Sequence, residues 1–239
     1  MKKIILIAAI AVCSISSYAQ VSFGAQVGAN LGMGKSKYDY SDPIYGAPSL
    51  TSDPKVGFLI GVLAEVPFGK LSFRPELNFV QKGSKDGYNF SYAGFYDNDS
   101  RKRTLNYIEV PLNVTYNLEI GKTGKVFFGL GPAVAIGLSG NYKYANGDKY
   151  KVKFDGLKLD DYDSPGDADN EHLKRVDVGL NVLGGFQLGM GAFAKIGYTY
   201  GFVNIDPNKD NNDAEDRSTY KNRGFNICIG YMIGGKKSK

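Results

Sequence analysis

Several charged residues of this chain lie in segments where apolar residues alternate with small or polar ones. Glu65 and Arg74 flank Gly69-Lys70 at equal distances, so they face each other if this dipeptide is the turn of a two-residue β-hairpin. Opposite charges lined up in this way either pair within a closed core or line a gated path for ions or protons. The same alternating phase in other segments contains four further charged residues: Glu76, Glu109, Asp177 and Lys195.

The residue types suited to catalysis are not spaced as a catalytic site would require. The single histidine, His172, lies beside Glu171 and Asp169. A serine nucleophile would have to be brought to it, and Ser139 and Ser164 merely share the same connecting segment. We therefore expect no catalytic residues and no enzyme activity.

Two connecting segments are rich in carboxylates, which are the ligands that calcium prefers. Neither fits the twelve-residue calcium loop, because counting from Asp161 places Pro165 at position five, and counting from Asp206 places Asn211 where glycine is required. We predict no metal site and no cofactor. The alternative is that divalent ions bridge these carboxylates to anionic lipopolysaccharide. The carboxylates concerned are Asp160, Asp161, Asp163, Asp167, Asp169, Glu171, Asp206, Asp210, Asp213, Glu215 and Asp216.

Tyrosines are concentrated in the connecting segments. Tyrosine offers a large amphipathic contact area at low entropic cost, which favours it in recognition surfaces. Asn146-Gly147 predicts a hairpin turn, with Tyr142, Tyr144 and Tyr150 on its arms and Tyr162 further along. These four tyrosines are candidate surface-binding residues for an unknown extracellular ligand or envelope protein. The alternative is that they only pack on one another.

Eight segments with a period of two position these residues. In the clearest, from Asn106 to Leu118, apolar residues share one phase and polar residues share the other, which places them on opposite faces of a strand. Each segment reaches the 9–11 residues that a tilted strand needs to cross a bilayer. The predicted strands are Val21–Gly32, Lys55–Phe68, Leu71–Lys82, Thr104–Leu118, Lys125–Leu138, Arg175–Leu188, Ala192–Phe202 and Asn222–Ile233.

The connections between these strands alternate between long and short, as in bacterial outer-membrane barrels. Charges facing lipid are unfavourable, so the phase with glycines and charges must be the interior. A soluble lipocalin-like barrel, the main alternative, would bury its large apolar side chains instead. The predicted fold is all-β: an eight-stranded antiparallel up-and-down transmembrane β-barrel with four long extracellular loops and three short periplasmic turns.

The amino terminus predicts a signal peptide. Lys2 and Lys3 precede a short apolar stretch, and Ser17-Tyr18-Ala19 offers a cleavage site. We expect residues 1–19 to be removed and residues 20–239 to form one outer-membrane β-barrel domain. Removing two lysines from a formal charge of +5 leaves about +3, which with no basic aromatic groove argues against nucleic acid.

Several motifs resemble the PorT-like outer-membrane β-barrel family of Bacteroidota. They are Phe73-Arg74-Pro75-Glu76-Leu77, Gln81-Lys82-Gly83, Tyr107-Ile108-Glu109-Val110-Pro111-Leu112, Lys221-Asn222-Arg223 and the signal ending Ala19-Gln20. The resemblance covers roughly residues 20 to 233. It accounts for the two prolines in predicted central strands, where proline is otherwise disfavoured. It implies little about activity, because most members have none assigned and a few are linked to protein secretion.

The prediction as a whole is a non-enzymatic integral protein of the outer membrane of a Gram-negative bacterium. We expect a polar, plugged interior, Tyr-rich extracellular loops that bind a ligand, and both termini in the periplasm. The expected partners are outer-membrane lipid and lipopolysaccharide, with the barrel assembly machinery during biogenesis. A narrow channel for small solutes and an accessory role in secretion across the outer membrane are the alternatives.

Overall fold

The computed structural model describes residues 21–38, 49–92, 95–158, 170–207 and 218–234. The predicted signal peptide, Tyr162 and most of the acidic residues of the long connections lie outside these ranges. The strands within them are β1 (Ser22–Gly32), β2 (Lys35–Tyr38), β3 (Ser49–Phe68), β4 (Leu71–Lys82), β5 (Ser84–Tyr92), β6 (Phe95–Ile120), β7 (Gly124–Tyr144), β8 (Lys149–Lys153), β9 (Glu171–His172), β10 (Val176–Leu188), β11 (Ala192–Gly201), β12 (Ser218–Lys221) and β13 (Arg223–Ile233).

Eight of these strands close into a barrel. Around its circumference they follow the order β1, β3, β4, β6, β7, β10, β11 and β13, and each is antiparallel to both neighbours. The first strand pairs with the last over its whole length, from Phe23 opposite Ile233 to Gly32 opposite Gly224. Closure leaves the barrel without an open sheet edge, as a membrane-spanning sheet requires. The predicted eight-stranded barrel is confirmed.

The short connections form tight turns at one end, here called the turn side, and the long connections lie at the other, the loop side. Gly69-Lys70 forms the predicted two-residue turn, with Gly69 at φ 68°. The predicted register is confirmed, because Phe68 pairs with Leu71 and Val66 with Phe73. This register brings Glu65 and Arg74 into the barrel at the same level.

The two faces of the barrel wall have opposite character. Outward-facing side chains are large, apolar and exposed, as for Ile60, Leu130 and Ile229. Inward-facing side chains are buried, and many of them are small or polar, as for Asn78 and Asn181. An apolar outer belt around a polar interior is the pattern of a membrane barrel rather than of a soluble one. Among the described residues no helix is long and apolar enough to span a membrane.

The ladder of hydrogen-bonded backbone pairs is interrupted beside two prolines. Between Leu63–Glu76 and Val66–Phe73, two residues of each strand make no ladder pair, and Pro75 is one of them. A similar gap of two residues surrounds Pro111 between β4 and β6. Proline has no N–H to donate, so the ladder cannot be complete at these positions. The register is the same on both sides of each gap, so the wall remains continuous.

On the loop side, strands continue beyond the predicted membrane span. β6 begins at Phe95 rather than Thr104, and β7 continues to Tyr144 rather than Leu138. The reason is local pairing: β5 forms a hairpin with the start of β6, and β8 forms one with the end of β7. We call β5, residues 95–103 of β6, residues 139–144 of β7 and β8 the loop-side ribbon. The predicted turn at Asn146-Gly147 is confirmed, with Gly147 at φ 101°.

Apolar residues from the long connections cover the loop-side end of the barrel. Phe154, Leu173, Ile205 and Tyr220 are buried in one cluster with Tyr107 of the barrel wall. We call the first four residues the mouth cap. Gly137 of β7 leaves space for the mouth cap, because a Cβ at this position would lie 2.3 Å from the ring of Phe154. The long connections therefore fold over the interior of the barrel.

Candidate functional site

The barrel interior near the turn side holds a network of five charged side chains, the turn-side cluster: Glu65, Arg74, Glu76, Lys125 and Lys195. The Nη1 atom of Arg74 lies 3.3 Å from Oε2 of Glu65, and its Nε atom lies 4.0 Å from Oε1 of Glu76. The ammonium of Lys195 lies 2.5 and 2.6 Å from the two oxygens of Glu76. Lys125 forms an ion pair with Glu65. The network joins β3, β4, β7 and β11 across the lumen.

Two aromatic rings enclose the guanidinium group of Arg74. Its Cζ atom lies 4.5 Å from the ring centre of Phe127 and 4.9 Å from that of Phe193. All three side chains are buried. The ring faces carry negative charge density, so they stabilise the cation where water cannot. This contact explains why Phe193 of β11 occupies the inward phase, which weakens the alternating pattern of that strand in the sequence.

Amide side chains extend the turn-side cluster toward the middle of the barrel. The Nε2 atom of Gln26 donates to Glu76 at 2.8 Å and to the side-chain oxygen of Asn78 at 2.7 Å. Asn78 in turn donates to Glu76 at 3.1 Å. Above them, Asn181 donates to Asn113 at 2.9 Å. Buried polar groups need such partners, and here they fill the lumen with hydrogen-bonded side chains.

A second group of charges lies nearer the loop side. Lys82 forms an ion pair with Glu109, and its Nζ atom lies 3.9 Å from Oδ2 of Asp177. Asn222 donates to the same oxygen of Asp177 at 2.9 Å. The ring of Tyr107 lies 5.3 Å from the Lys82 ammonium. The structure thus brings Glu109 and Asp177 together through a lysine.

The six charged residues predicted for the interior therefore fall into two groups rather than one. Glu65, Arg74, Glu76 and Lys195 lie in the turn-side cluster, and Glu109 and Asp177 share Lys82. Across both groups four cations face four anions. Two cavities beside Glu109 measure about 10 Å³ each, which is at the lower limit for a single water molecule.

Arg103 fixes the mouth cap to the barrel wall. Its Nε atom donates to Glu171 at 3.0 Å, Nη2 binds the other oxygen of that carboxylate, and Nη1 donates to Asp86 at 3.2 Å. Its Cζ atom lies 4.3 Å from the ring centre of Tyr220. Burial alone would lower the pKa of Arg103, but Glu171 and then Tyr220 and Asp86 raise it well above its usual value. The guanidinium stays charged throughout the accessible pH range.

His172 is buried beside Asp155 on the loop side of the barrel. Its ring is buried, and Nδ1 lies 2.8 Å from the carboxylate of Asp155, which accepts the hydrogen bond. Burial would raise the pKa of Asp155, but this hydrogen bond and one from the Leu157 amide hold it below its usual range. Ser139 lies on β7, where its hydroxyl accepts a hydrogen bond from Asn106 at 3.0 Å.

One face of the loop-side ribbon carries the candidate binding tyrosines. The rings of Tyr142 and Tyr150 are stacked with centroids 5.2 Å apart, and Tyr144 meets both edge-on at 5.3 and 5.5 Å. Arg101 lies 4.8 Å from the ring centre of Tyr144. We call these four residues the tyrosine cluster. Tyr162, the fourth predicted tyrosine, lies outside the described residues.

Some interior residues were absent from the predicted site although the sequence contains their signal. Lys82 shares the inward phase of Arg74 and Glu76 on β4, and Lys125 shares that of Phe127 on β7. Leu173 and Ile205 of the mouth cap have no such signal, because they lie in irregular connections. In the described part of the chain, no group of three or more histidine, cysteine or acidic side chains is placed to hold a metal ion.

Solved outer-membrane proteins are similar to this chain over most of its length. They include Neisserial surface protein A (12% identity, TM-score 0.42, 88% of this chain and 97% of that one) and OprG from Pseudomonas aeruginosa (13%, 0.46, 90% and 97%). A third is Ail, the attachment invasion locus protein of Yersinia pestis (12%, 0.39, 90% and 99%). A search of curated proteins gives no significant match.

The sequence also matches a family model described as "Outer membrane protein beta-barrel domain" over residues 18–207. This span runs through seven of the eight barrel strands described above. The closed barrel, its apolar outer belt and its polar interior agree with that description. The chain is an integral protein of the outer membrane and belongs to the outer membrane protein beta-barrel domain family.

Proposed function

We propose that this protein is a non-enzymatic surface protein whose barrel is closed to solutes and whose loop-side ribbon binds a ligand outside the cell. The observation that carries the first half is the pair of charge networks that fill the lumen. An eight-stranded barrel is just wide enough for its interior to be filled by side chains. The two internal cavities beside Glu109, of about 10 Å³ each, leave no room for a solute larger than water.

The mouth cap adds a second barrier at the loop side. Phe154, Leu173 and Ile205 are buried over the lumen, and the partly buried ion pairs of Arg103 join this layer to the wall. A solute would have to displace both an apolar layer and two ion-pair networks. Breaking one buried ion pair by removal of a partner typically costs about 3–5 kcal/mol, so spontaneous opening is rare.

The second half of the proposal depends on the orientation of the barrel. In bacterial outer-membrane barrels the short turns face the periplasm and the long loops face the outside. The even number of strands then leaves both termini in the periplasm. In this orientation the ribbon stands on the cell surface with its tyrosine cluster half-buried, offering aromatic faces and a guanidinium to a ligand. Such residues are favoured in recognition surfaces.

Within its family we assign the chain to the PorT-like group of Bacteroidota. What supports this is the pair of motifs around Pro75 and Pro111, which resemble the signatures of that group. Both prolines coincide with the ladder gaps beside the buried charges of β4 and β6. The resemblance keeps an accessory role in secretion as the alternative, and co-purification of secretion components with the tagged protein would favour it.

Single-channel conductance of the refolded mature chain in planar bilayers tests whether the barrel is closed. We expect no conductance from the wild type and measurable channel conductance from Arg74→Ala, which removes the centre of the turn-side cluster. Arg101→Ala, on the ribbon, is the matched control and should remain silent. Steady conductance of the wild type would contradict the proposal and make the protein a narrow channel.

Thiol labelling of intact cells tests the orientation. Cys228 is buried and is the only cysteine of the expected mature chain, so it gives a low background. Asn146→Cys at the ribbon turn should react with a membrane-impermeant maleimide, whereas Lys122→Cys in a short turn should react only after the outer membrane is permeabilised. The reverse result would place the ribbon in the periplasm and overturn surface binding.

A further inference from the structure

The second face of the loop-side ribbon carries a row of lysines at one level of the sheet. Lys85 of β5 pairs directly with Lys102 of β6. Lys102 pairs in turn with Lys143 of β7, and Lys143 with Lys149 of β8. The register therefore places four ammonium groups side by side on four adjacent strands. We call these residues the lysine row.

The lysine row points away from the barrel axis. Along β6, Arg101 and Arg103 share the phase of the interior residues, so Lys102 between them faces outward. Tyr142 and Tyr144 likewise flank Lys143 on the axial face. All four lysines of the row are exposed, and exposed Lys151 extends the charged face along β8. The ribbon thus has an aromatic face toward the mouth and a cationic face toward the surroundings.

Repulsion among the four ammonium groups of the row destabilises the sheet unless an anion binds to them. Neighbouring strands lie about 4.8 Å apart, so the four lysines span roughly 15 Å, and like charges directly opposite each other destabilise a sheet. In the described part of the chain none of the four makes an ion pair. The nearby acids are Asp53, opposite Lys85 on β3, and Asp148, whose carboxylate accepts a hydrogen bond from Asn146 at 2.7 Å. Two carboxylates at the ends of the row do not neutralise its centre.

The row stands just above the ordinary headgroup layer of the surrounding membrane. On β6 the outward positions change from Ile108 to Asn106 and Thr104 before Lys102 is reached. At about 3.3 Å per residue and a tilt near 40°, Lys102 lies roughly 10 Å above the first polar position. A bilayer's headgroup region is about 5–8 Å thick on each side. The row therefore stands at the outer edge of ordinary headgroups, where a larger phosphorylated headgroup would meet it.

We infer that the lysine row binds the phosphate groups of lipopolysaccharide in the outer leaflet around the barrel. This assignment rests on the proposed orientation, in which the ribbon is outside the cell. A lipid is favoured over a soluble polyanion because the row faces sideways into the membrane surface rather than upward into the medium. Several phosphates on one sugar headgroup match a row of several ammonium groups better than a single phosphate does.

The test measures binding of lipopolysaccharide to the mature protein in a neutral detergent by isothermal titration. The probe is a short-core lipopolysaccharide, compared with the same material after enzymatic removal of its phosphates. We expect Lys102→Gln/Lys143→Gln to weaken binding at least tenfold and to reduce its salt dependence. Lys70→Gln/Lys122→Gln removes two exposed lysines from the turn side and should bind as the wild type does.

Three results would overturn the inference. They are equal binding by Lys102→Gln/Lys143→Gln, equal binding of the dephosphorylated probe, and heparin binding at the row more tightly than lipopolysaccharide. The last would identify a site for a soluble polyanion. Labelling of Asn146→Cys reports orientation independently, so failure of the proposed orientation is distinguishable from failure of the site. Unboiled and boiled electrophoretic mobilities show whether each variant has folded.

Discussion

The ammonium group of Lys195 binds both carboxylate oxygens of Glu76 from the opposite wall of the barrel. The two residues lie on β11 and β4, which are four strands apart in either direction around the eight-stranded circumference. The ion pair therefore crosses the full width of the lumen. Because Glu76 also contacts Arg74, Gln26 and Asn78, one carboxylate joins four of the side chains that fill the lumen.

Replacement of Glu76 by glutamine should destabilise the barrel strongly. The change leaves the buried cations of Lys195 and Arg74 without this anion, and breaking a buried pair in this way costs about 3–5 kcal/mol. The measurement is urea unfolding of the protein folded in lipid vesicles. Glu119→Gln, at an exposed position beside a short turn, is the control and should change the free energy of unfolding by less than about 0.5 kcal/mol.

The double variant Glu76→Gln/Lys195→Met separates loss of charge balance from loss of packing. Removing both partners eliminates the unpaired ammonium, so the double variant should be more stable than Glu76→Gln alone. Additive destabilisation would show that the two side chains do not interact across the lumen.

The aromatic enclosure of Arg74 predicts a difference between two adjacent phenylalanines. Phe127→Leu keeps an apolar side chain but removes a ring face from a desolvated cation, which should cost about 2 kcal/mol. Phe128 faces lipid on the same strand, so Phe128→Leu should cost far less. Urea unfolding in vesicles gives both values, and equal losses at the two positions would exclude a specific contribution from the ring over Arg74.

The barrel and its inward phase could be predicted because a closed two-faced sheet imposes a period of two on the sequence. Glu109 and Asp177 carry that signal on separate strands, and so does Lys82, which was absent from the predicted site. Their partners could not be assigned, because pairing across the lumen depends on strand order and shear rather than on spacing along the chain. The ion pair of Glu76 and Lys195 spans 119 residues for this reason.

The loop side was less predictable for a related reason. Leu173 and Ile205 lie in segments without periodicity, so nothing in the sequence distinguishes them from exposed loop residues. Phe154 ends the alternating run that begins at Tyr150, but the alternation does not show that this run folds back over the lumen. The role of Gly137 could not be predicted either, because it leaves room for the ring of Phe154, which lies 17 residues further along the chain. The lysine row takes one lysine from each of four strands, so it is assembled only by the register of those strands.

Gly137→Ala should loosen the mouth cap while leaving the barrel folded. The added Cβ would lie 2.3 Å from Cδ1 of Phe154, closer than such atoms approach, so the ring must move. We expect faster cleavage of the 155–170 segment by proteinase K, with unchanged electrophoretic mobility of the unboiled barrel. Ser139→Ala, an outward position two residues along the strand, should be cleaved at the wild-type rate.

The hydrogen bond between His172 and Asp155 predicts a local loss of protection in acid. The pKa of Asp155 is lower in the folded protein than its unfolded value of about 3.9. Its contribution to stability is therefore fully present above about pH 4 and is lost as the pH falls through the lowered folded value. Hydrogen exchange of residues 152–157, corrected for intrinsic rates, should report this change.

Asp155→Asn isolates that effect from the other acids of the region, since Glu171 and Asp86 beside Arg103 remain in the variant. The variant should have lower protection than the wild type at pH 6, and the difference should shrink toward pH 2. A difference that stays constant with pH would show that the charge of Asp155 does not contribute. Asp148→Asn, in the exposed ribbon turn, is the control and should leave protection of residues 152–157 unchanged.

Repulsion within the lysine row predicts a stabilising substitution. Lys102 has a lysine directly opposite on each side, so Lys102→Gln should raise the free energy of unfolding by about 0.2–1 kcal/mol in neutral detergent at low salt. In 1 M salt the Debye length falls to about 3 Å, and the gain should disappear. Lys122→Gln, in a short turn, should show no such gain. A gain that persists in 1 M salt would mean that helpful contacts of the glutamine, rather than relief of repulsion, stabilise the ribbon.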